Sequence, residues 1–194
     1  MATVASELKT AEEFFDWICR PENSERRVEL VDGEVVEMPP PGDIHGTICP
    51  LIARILGNFA FERGRGRVAS NDSGLVVKRD PDTMRGVDVM FYEEVAVYDE
   101  ISRRYAKQLP VLAIEVISPS DTWTKLNVRI AQYLDRGVPL VWVVDPEDKT
   151  VAVYRPTHRP EFLNEENELT GNGVLPDFRC RVADLFALPG EAKV

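Results

Sequence analysis

The most constraining stretch of this 194-residue chain is Val111-Leu112-Ala113-Ile114-Glu115-Val116-Ile117, an apolar run with one carboxylate near its middle. A run that is apolar on both alternating faces is the pattern of a central strand covered on both sides. Such a strand commits the chain to a layered α/β architecture with helices flanking a sheet. Glu115 then stands where water is excluded, and burying a bare carboxylate is expensive. Two arrangements relieve that cost. One is a buried ion pair with an arginine; the other is a metal-ligand or acid/base role.

Asp88 repeats the situation in Val87-Asp88-Val89-Met90-Phe91. Two carboxylates on separate apolar strands point to convergence, and neighbouring like charges do not both ionise comfortably without a cation between them. Oxygen-only ligands suit Mg²⁺ or Mn²⁺ rather than zinc. Cys19, Cys49 and Cys180 are dispersed. They read as buried reduced thiols, forming neither a disulfide frame nor a Cys/His ligand pair.

The rest of the chain supplies the layers. Thr10 to Cys19 reads as a helix with capping-box spacing from Thr10 to Glu13, stopped by Pro21. RVELVDGEVVEM reads as a hairpin turning at Asp32-Gly33. Asp43 is expected to cap a long helix to about Arg63, striped by Ile48, Leu51, Ile52, Ile55, Leu56 and Phe59, with Pro50 near its first turn. Gly64 to Arg67 reads as a turn, followed by strands VAS, GLVVK and VDVMFY, and Glu93 to Lys107 as a surface helix or loop. Ser118 to Asp121 turn into a helix ending at about Arg136 and closed by Gly137; PLVWVVD and KTVAVYR are further strands. Beyond Pro156 the chain is acidic and reads as irregular until LPDFRCRVADLF, a short strand and terminal helix. The expectation is one domain over residues 1–194, with a core at about 27–156, a small extension at about 157–194, and a mixed sheet.

With 33 acidic and 23 basic residues the formal charge is −10. That excludes a protein that coats nucleic acid or anionic membrane by bulk charge, so any contact with DNA has to be local or bridged by cations. The N-terminus has no basic region before an apolar stretch, and no apolar run approaches the ~20 residues of a membrane span, so a soluble, cytoplasmic protein is expected. In the helix after Glu115, Leu126, Ile130, Tyr133 and Leu134 form the core stripe, with Lys125, Arg129, Gln132 and Arg136 recurring beside it. Lys125 and Arg129 either serve the carboxylates or form a solvated basic face.

An Asp in one apolar strand, a Glu in a second and a basic group beside them resemble the PD-(D/E)XK nuclease superfamily. RVELVDGEVVEMPPPGDIHG, GVDVMF, AIEVISPSD and YLDRGVPLVWVVDPEDKTVAVYRP, in that order, resemble more specifically the Uma-two family of restriction-endonuclease-like proteins. The resemblance implies a restriction-endonuclease-like core, a mixed β-sheet flanked by helices, with Asp88 and Glu115 as ligands of Mg²⁺ (or Mn²⁺). It also matches Glu29 to an upstream acidic position that completes the site, and His45 to a further family position. The superfamily lysine would fall at Ile117, which is apolar; the family's own lysine, on the next helix, falls at Arg129. Arginine stays protonated, so it can neutralise developing charge but cannot act as a base; Lys125 lies one turn earlier on the same face.

The expected function is metal-dependent hydrolysis of DNA phosphodiester bonds, with a homodimer as the simplest way to cut both strands. A catalytically lapsed nuclease fold serving as a binding or assembly module is the alternative. A carboxylate-pair glycosidase is a third reading, disfavoured because a neutral sugar needs no cationic clamp.

Overall fold

The computed structural model describes residues 9–94 and 97–190. The reading of residues 1–8 as free of a leader, and of part of the Glu93 to Lys107 segment, falls outside the described residues. Helix α1 (Ala11–Ile18) begins with the expected box: the Glu13 N–H donates to the Thr10 hydroxyl, and the Thr10 N–H donates to the Glu13 carboxylate at 2.8 Å. Strands β1 (Val28–Val31) and β2 (Glu34–Glu37) form the hairpin, with Asp32 and Gly33 at φ 49° and 80°, the positive values a two-residue turn demands.

Helix α2 (Asp43–Arg63) differs from expectation at its start. Its N-cap is Gly42, without a side-chain bond, and Asp43 instead opens the first turn, where its charge faces the positive end of the helix dipole. Pro50 sits inside the helix rather than near its first turn, forfeiting one backbone bond. At 21 residues α2 is also long and apolar enough on average to cross a membrane, which the sequence reading did not expect. Here Ile48, Ile52, Leu56 and Ala60 are buried in the core beneath the sheet.

Strands β3 (Arg67–Lys78) and β4 (Thr83–Tyr92) pair along their whole length. VAS and GLVVK, read as two strands, are one strand crossing a bulge between Ser70 and Ser73. Asn71 and Asp72 take φ 64° and 54° there, a left-handed conformation that Asn and Asp tolerate better than other residues with a side chain. Among the described residues beyond β4, Tyr98–Glu100 forms a short 3₁₀ turn. The Gly64 to Arg67 turn forms as read, and Arg63, Arg65 and Arg67 pair with Glu93 and Glu94. Strand β5 (Leu112–Val116) is buried at every position. Helix α3 (Trp123–Arg136) is capped by Thr122 and closed by Gly137 at φ 105°.

Strands β6 (Val141–Asp145), β7 (Thr150–Tyr154) and β8 (Glu161–Leu163) extend the sheet, and β9 (Glu168–Thr170) pairs with β10 (Arg179–Arg181) as a separate ribbon. The stretch after Pro156 is therefore not irregular: Leu169, Leu175, Phe178, Val182 and Leu185 join the core under α2. The Phe178 ring stands 5.1 Å from Phe59 and 5.6 Å from Trp142. The expected terminal helix is a single 3₁₀ turn, Val182–Leu185. Cys19 is exposed and Cys49 and Cys180 are half-buried, so the thiols are not uniformly interior.

The sheet is mixed, in the order β2-β1-β4-β5-β6-β7-β8, with β5–β6 its parallel pair. One face packs on α2, and the other packs Val143 and Ala113 against Leu126, Ile130 and Tyr133 of α3. Because β3 occupies one edge of β4 throughout, β1 and β5 must share the other. β1 meets it at Met84 and β5 meets it at Val89 to Phe91. Between the two contacts the sheet splits open.

Candidate active site

The split in the sheet is where the carboxylates gather. β4 delivers Asp88 beside the end of β5, and the Val116 N–H donates to Asp88 Oδ2 at 2.7 Å, so a side chain takes the place of a ladder partner. The other oxygen of Asp88, Oδ1, lies 3.1 Å from His45 Nε2 of α2. Glu115, one residue before Val116, alternates to the α3 face, where Tyr133 donates its hydroxyl to Oε1 and Arg129 approaches Oε2 at 3.3 Å. Glu29 comes from β1 and accepts from Arg85 at 2.9 Å and from the Gly86 N–H at 3.0 Å, with Arg129 at 3.1 Å. All three carboxylate residues, and His45, are at most 7% exposed. The gap thus lets groups from α2 and α3, on opposite faces of the sheet, meet.

Asp88, Glu115, Glu29, Arg129 and His45 therefore line one cleft of about 80 Å³, together with Arg27, Asp72 and Ser118. Lys125 is not among its lining residues: it stands exposed in the first turn of α3. The same-face spacing from Lys125 to Arg129 holds, but only the second of them lies deep enough to reach the sheet. Arg85, Tyr133, Asp72 and Cys49 were not singled out from sequence as site residues. Arg85 carried a usable signal, a lone cation in a strand that is otherwise buried. Asp72 was hidden in Asn71-Asp72-Ser73-Gly74, which reads as a turn; the bulge aims it at Arg27, with two contacts of 2.9 and 3.1 Å. Gly86 makes that approach possible, since a Cβ there would meet the Asp72 Cβ at 3.0 Å.

The charges do not balance evenly. Arg129 bridges Glu115 and Glu29, and Arg85 holds Glu29, but neither guanidinium pairs with Asp88. Burial first, and then the Asp88 charge, push the Glu115 carboxyl up to about 8. The hydrogen bond to Asp88 raises His45 against the opposing effect of burial. Asp88 and Glu115 are the residues whose oxygens could hold a divalent cation in the cleft. A second group lies beside it: one nitrogen, one sulfur and one oxygen from His45, Cys49 and Asp88 fall within 4.8 Å of one another.

A pH dependence follows. Glu115 and His45 both bind their protons more tightly in the folded state, so folding contributes stability at low pH that is lost as pH rises. In metal-free protein the urea midpoint is expected to fall between about pH 5 and pH 8, the window set by the ordinary value of 4.5 and the raised one of about 8 for Glu115. Glu115→Gln should flatten that slope. An unchanged slope would mean that Glu115 is not the group titrating.

Comparison with known proteins adds two findings. A family model described as "Uma2: Putative restriction endonuclease" matches residues 11–183. A solved structure, a "putative nuclease belonging to DUF820" from Anabaena variabilis, superposes with a TM-score of 0.76 at 22% identity, covering 92% of this chain and 97% of that one. That likeness establishes a shared fold. No curated protein matches the chain.

Proposed function

The chain belongs to the Uma2 family of restriction-endonuclease-like proteins, and from that premise we propose that it is a divalent-metal-dependent nuclease hydrolysing DNA phosphodiester bonds. The observation that carries the proposal is the convergence of Asp88 and Glu115 in one cleft, with Glu115 held up to about 8 partly by the charge of Asp88. Mg²⁺ or Mn²⁺ bound there would polarise the phosphate and lower the pKa of an attacking water. Asp88 and Glu115 would hold the ion, with His45 orienting the first and Tyr133 the second. Arg129, always protonated, would neutralise charge developing on the phosphate. Glu29 positions Arg129 through its 3.1 Å contact.

With a net charge of −10 the DNA contact would be local, at this cleft, whose lining includes Arg27 and Arg129. A homodimer carrying two such clefts would serve double-strand cutting. Supercoiled plasmid incubated with the purified protein is expected to be nicked in Mg²⁺ or Mn²⁺ and left intact with a chelator. A folded protein inactive across both metals and across single- and double-stranded DNA would overturn the proposal.

One observation favours a second reading, a nuclease fold that has lost catalysis and kept binding. The Arg129 guanidinium already bridges Glu115 and Glu29, supplying in part the positive charge a metal would bring. Calorimetric titration separates the two readings, since a lapsed site would take up neither Mg²⁺ nor Mn²⁺.

A further inference from the structure

We propose that His45, Cys49 and Asp88 form a second metal site, suited to a late first-row divalent ion such as Zn²⁺ or Co²⁺ and sharing Asp88 with the nuclease cleft. The proposal goes beyond the nuclease reading and does not rest on it, because Glu115 is not one of its donors. His45 and Cys49 are four residues apart on α2, which sets both side chains on one face of a single helical turn. That face is held in place: Ile48 and Ile52, on the same helix, are buried in the core.

The spacing of the donors suits a tetrahedral ion. Metal bonds of about 2.3 Å to sulfur and about 2.0–2.2 Å to nitrogen and oxygen put neighbouring ligand atoms roughly 3.4–3.6 Å apart at tetrahedral angles. Here His45 Nε2 and Asp88 Oδ1 are 3.1 Å apart, and Cys49 Sγ lies 3.9 Å from Nε2 and 3.6 Å from Nδ1. The sulfur and the Asp88 oxygen lie within 4.8 Å of each other, so a side-chain rotation at Cys49 that carries the sulfur inward, by up to about an ångström on the tetrahedral spacing, would close the set around an ion. The Val116 N–H holds the other Asp88 oxygen at 2.7 Å, leaving Oδ1 to turn toward the metal.

Three protein ligands leave a fourth position open, the pattern of sites that bind water or a reactant. His45, Cys49 and Asp88 all line a depression of about 380 Å³ shared with Pro41, Arg54, Asn71 and Asp72, of which Glu115 is not a lining residue, so solvent would reach an ion held there. Asp72 contributes negative charge nearby, while both of its oxygens remain on Arg27. Thiolate and imidazole donors select zinc-like ions over Mg²⁺, whose preference is for oxygen alone. Binding would release the Cys49 thiol proton and, where His45 is protonated, the proton on Nε2.

Metal-free protein titrated anaerobically with Co²⁺ tests this. The expected result is one equivalent giving a sulfur-to-cobalt charge-transfer band with the visible bands of a tetrahedral ion, displaced by Zn²⁺ but not by excess Mg²⁺. Cys49→Ser should abolish the charge-transfer band and weaken Co²⁺ binding at least about tenfold. Cys19→Ser and Cys180→Ser should leave it. Glu115→Gln, which removes a proposed Mg²⁺ ligand, should also leave it, so this site and the nuclease site can fail separately. A folded protein without the band, a band that survives Cys49→Ser, or one displaced by Mg²⁺ would overturn the proposal.

Discussion

Asp88→Asn is expected to slow metal-dependent nicking of plasmid by about a thousandfold or more, because Lewis-acid stabilisation is worth several kcal/mol and each ~1.4 kcal/mol is tenfold in rate. Asparagine has nearly the shape of aspartate and keeps an oxygen for the Val116 N–H, so the split between β1 and β5 should survive. What disappears is the negative charge. The same charge is a cause of the raised Glu115 carboxyl, so the variant should carry a second signature. Metal-free Asp88→Asn should hold its urea midpoint better than wild type as pH rises toward 8, because Glu115 then ionises without the Asp88 charge beside it. Loss of cleavage together with gain of alkaline stability is hard to produce by misfolding. A folded variant that cleaves at the wild-type rate would remove Asp88 from the chemistry.

Glu29→Ala is expected to be the most destabilising single change in the cleft, by about 3–5 kcal/mol, the usual cost of breaking a buried ion pair from one side. Two hydrogen-bond donors, Arg85 and the Gly86 N–H, and the Arg129 guanidinium as an ion pair converge on this carboxylate. Removing it leaves two guanidiniums little exposed to solvent, with Arg129 keeping Glu115 and Arg85 keeping the Gln132 side chain among the described residues. Glu29→Gln should cost less, since its carbonyl can still accept from one donor. Urea unfolding at neutral pH measures both. A loss below about 1 kcal/mol for the alanine variant would show that the network is worth little more than a surface pair.

The two networks also show what could be read in advance. Glu115 and Asp88 were legible because each breaks an apolar strand, and an interruption of that kind has few physical explanations. The helix bearing Arg129 was legible from its stripe, and Gly137 from its place after the last periodic residue. Depth was harder. Lys125 and Arg129 have the same spacing relative to the stripe, yet one is exposed and the other lies against two carboxylates, a difference set by where the helix axis meets the sheet. The nearness of His45 to Cys49 was not legible in a set of dispersed cysteines, and it is the helical turn between them that brings both to one face. Strands β8 and β9 were hidden by acidic, turn-rich sequence, whereas β10 is the short strand expected within LPDFRCRVADLF; Phe178 beside it finds ring partners in α2 and β6. The bulge at Asn71 and Asp72 looks like a chain reversal when read locally; only the pairing with β4 makes it one strand.

The central claim is that a divalent cation occupies the gap between β1 and β5, held by Asp88 and Glu115. A crystal soaked in Mn²⁺ and measured at the manganese edge tests it most directly. The account predicts an anomalous peak within bonding distance of both carboxylates, lost in Asp88→Asn. A map with no peak there, Arg129 still bridging Glu115 and Glu29, would contradict it.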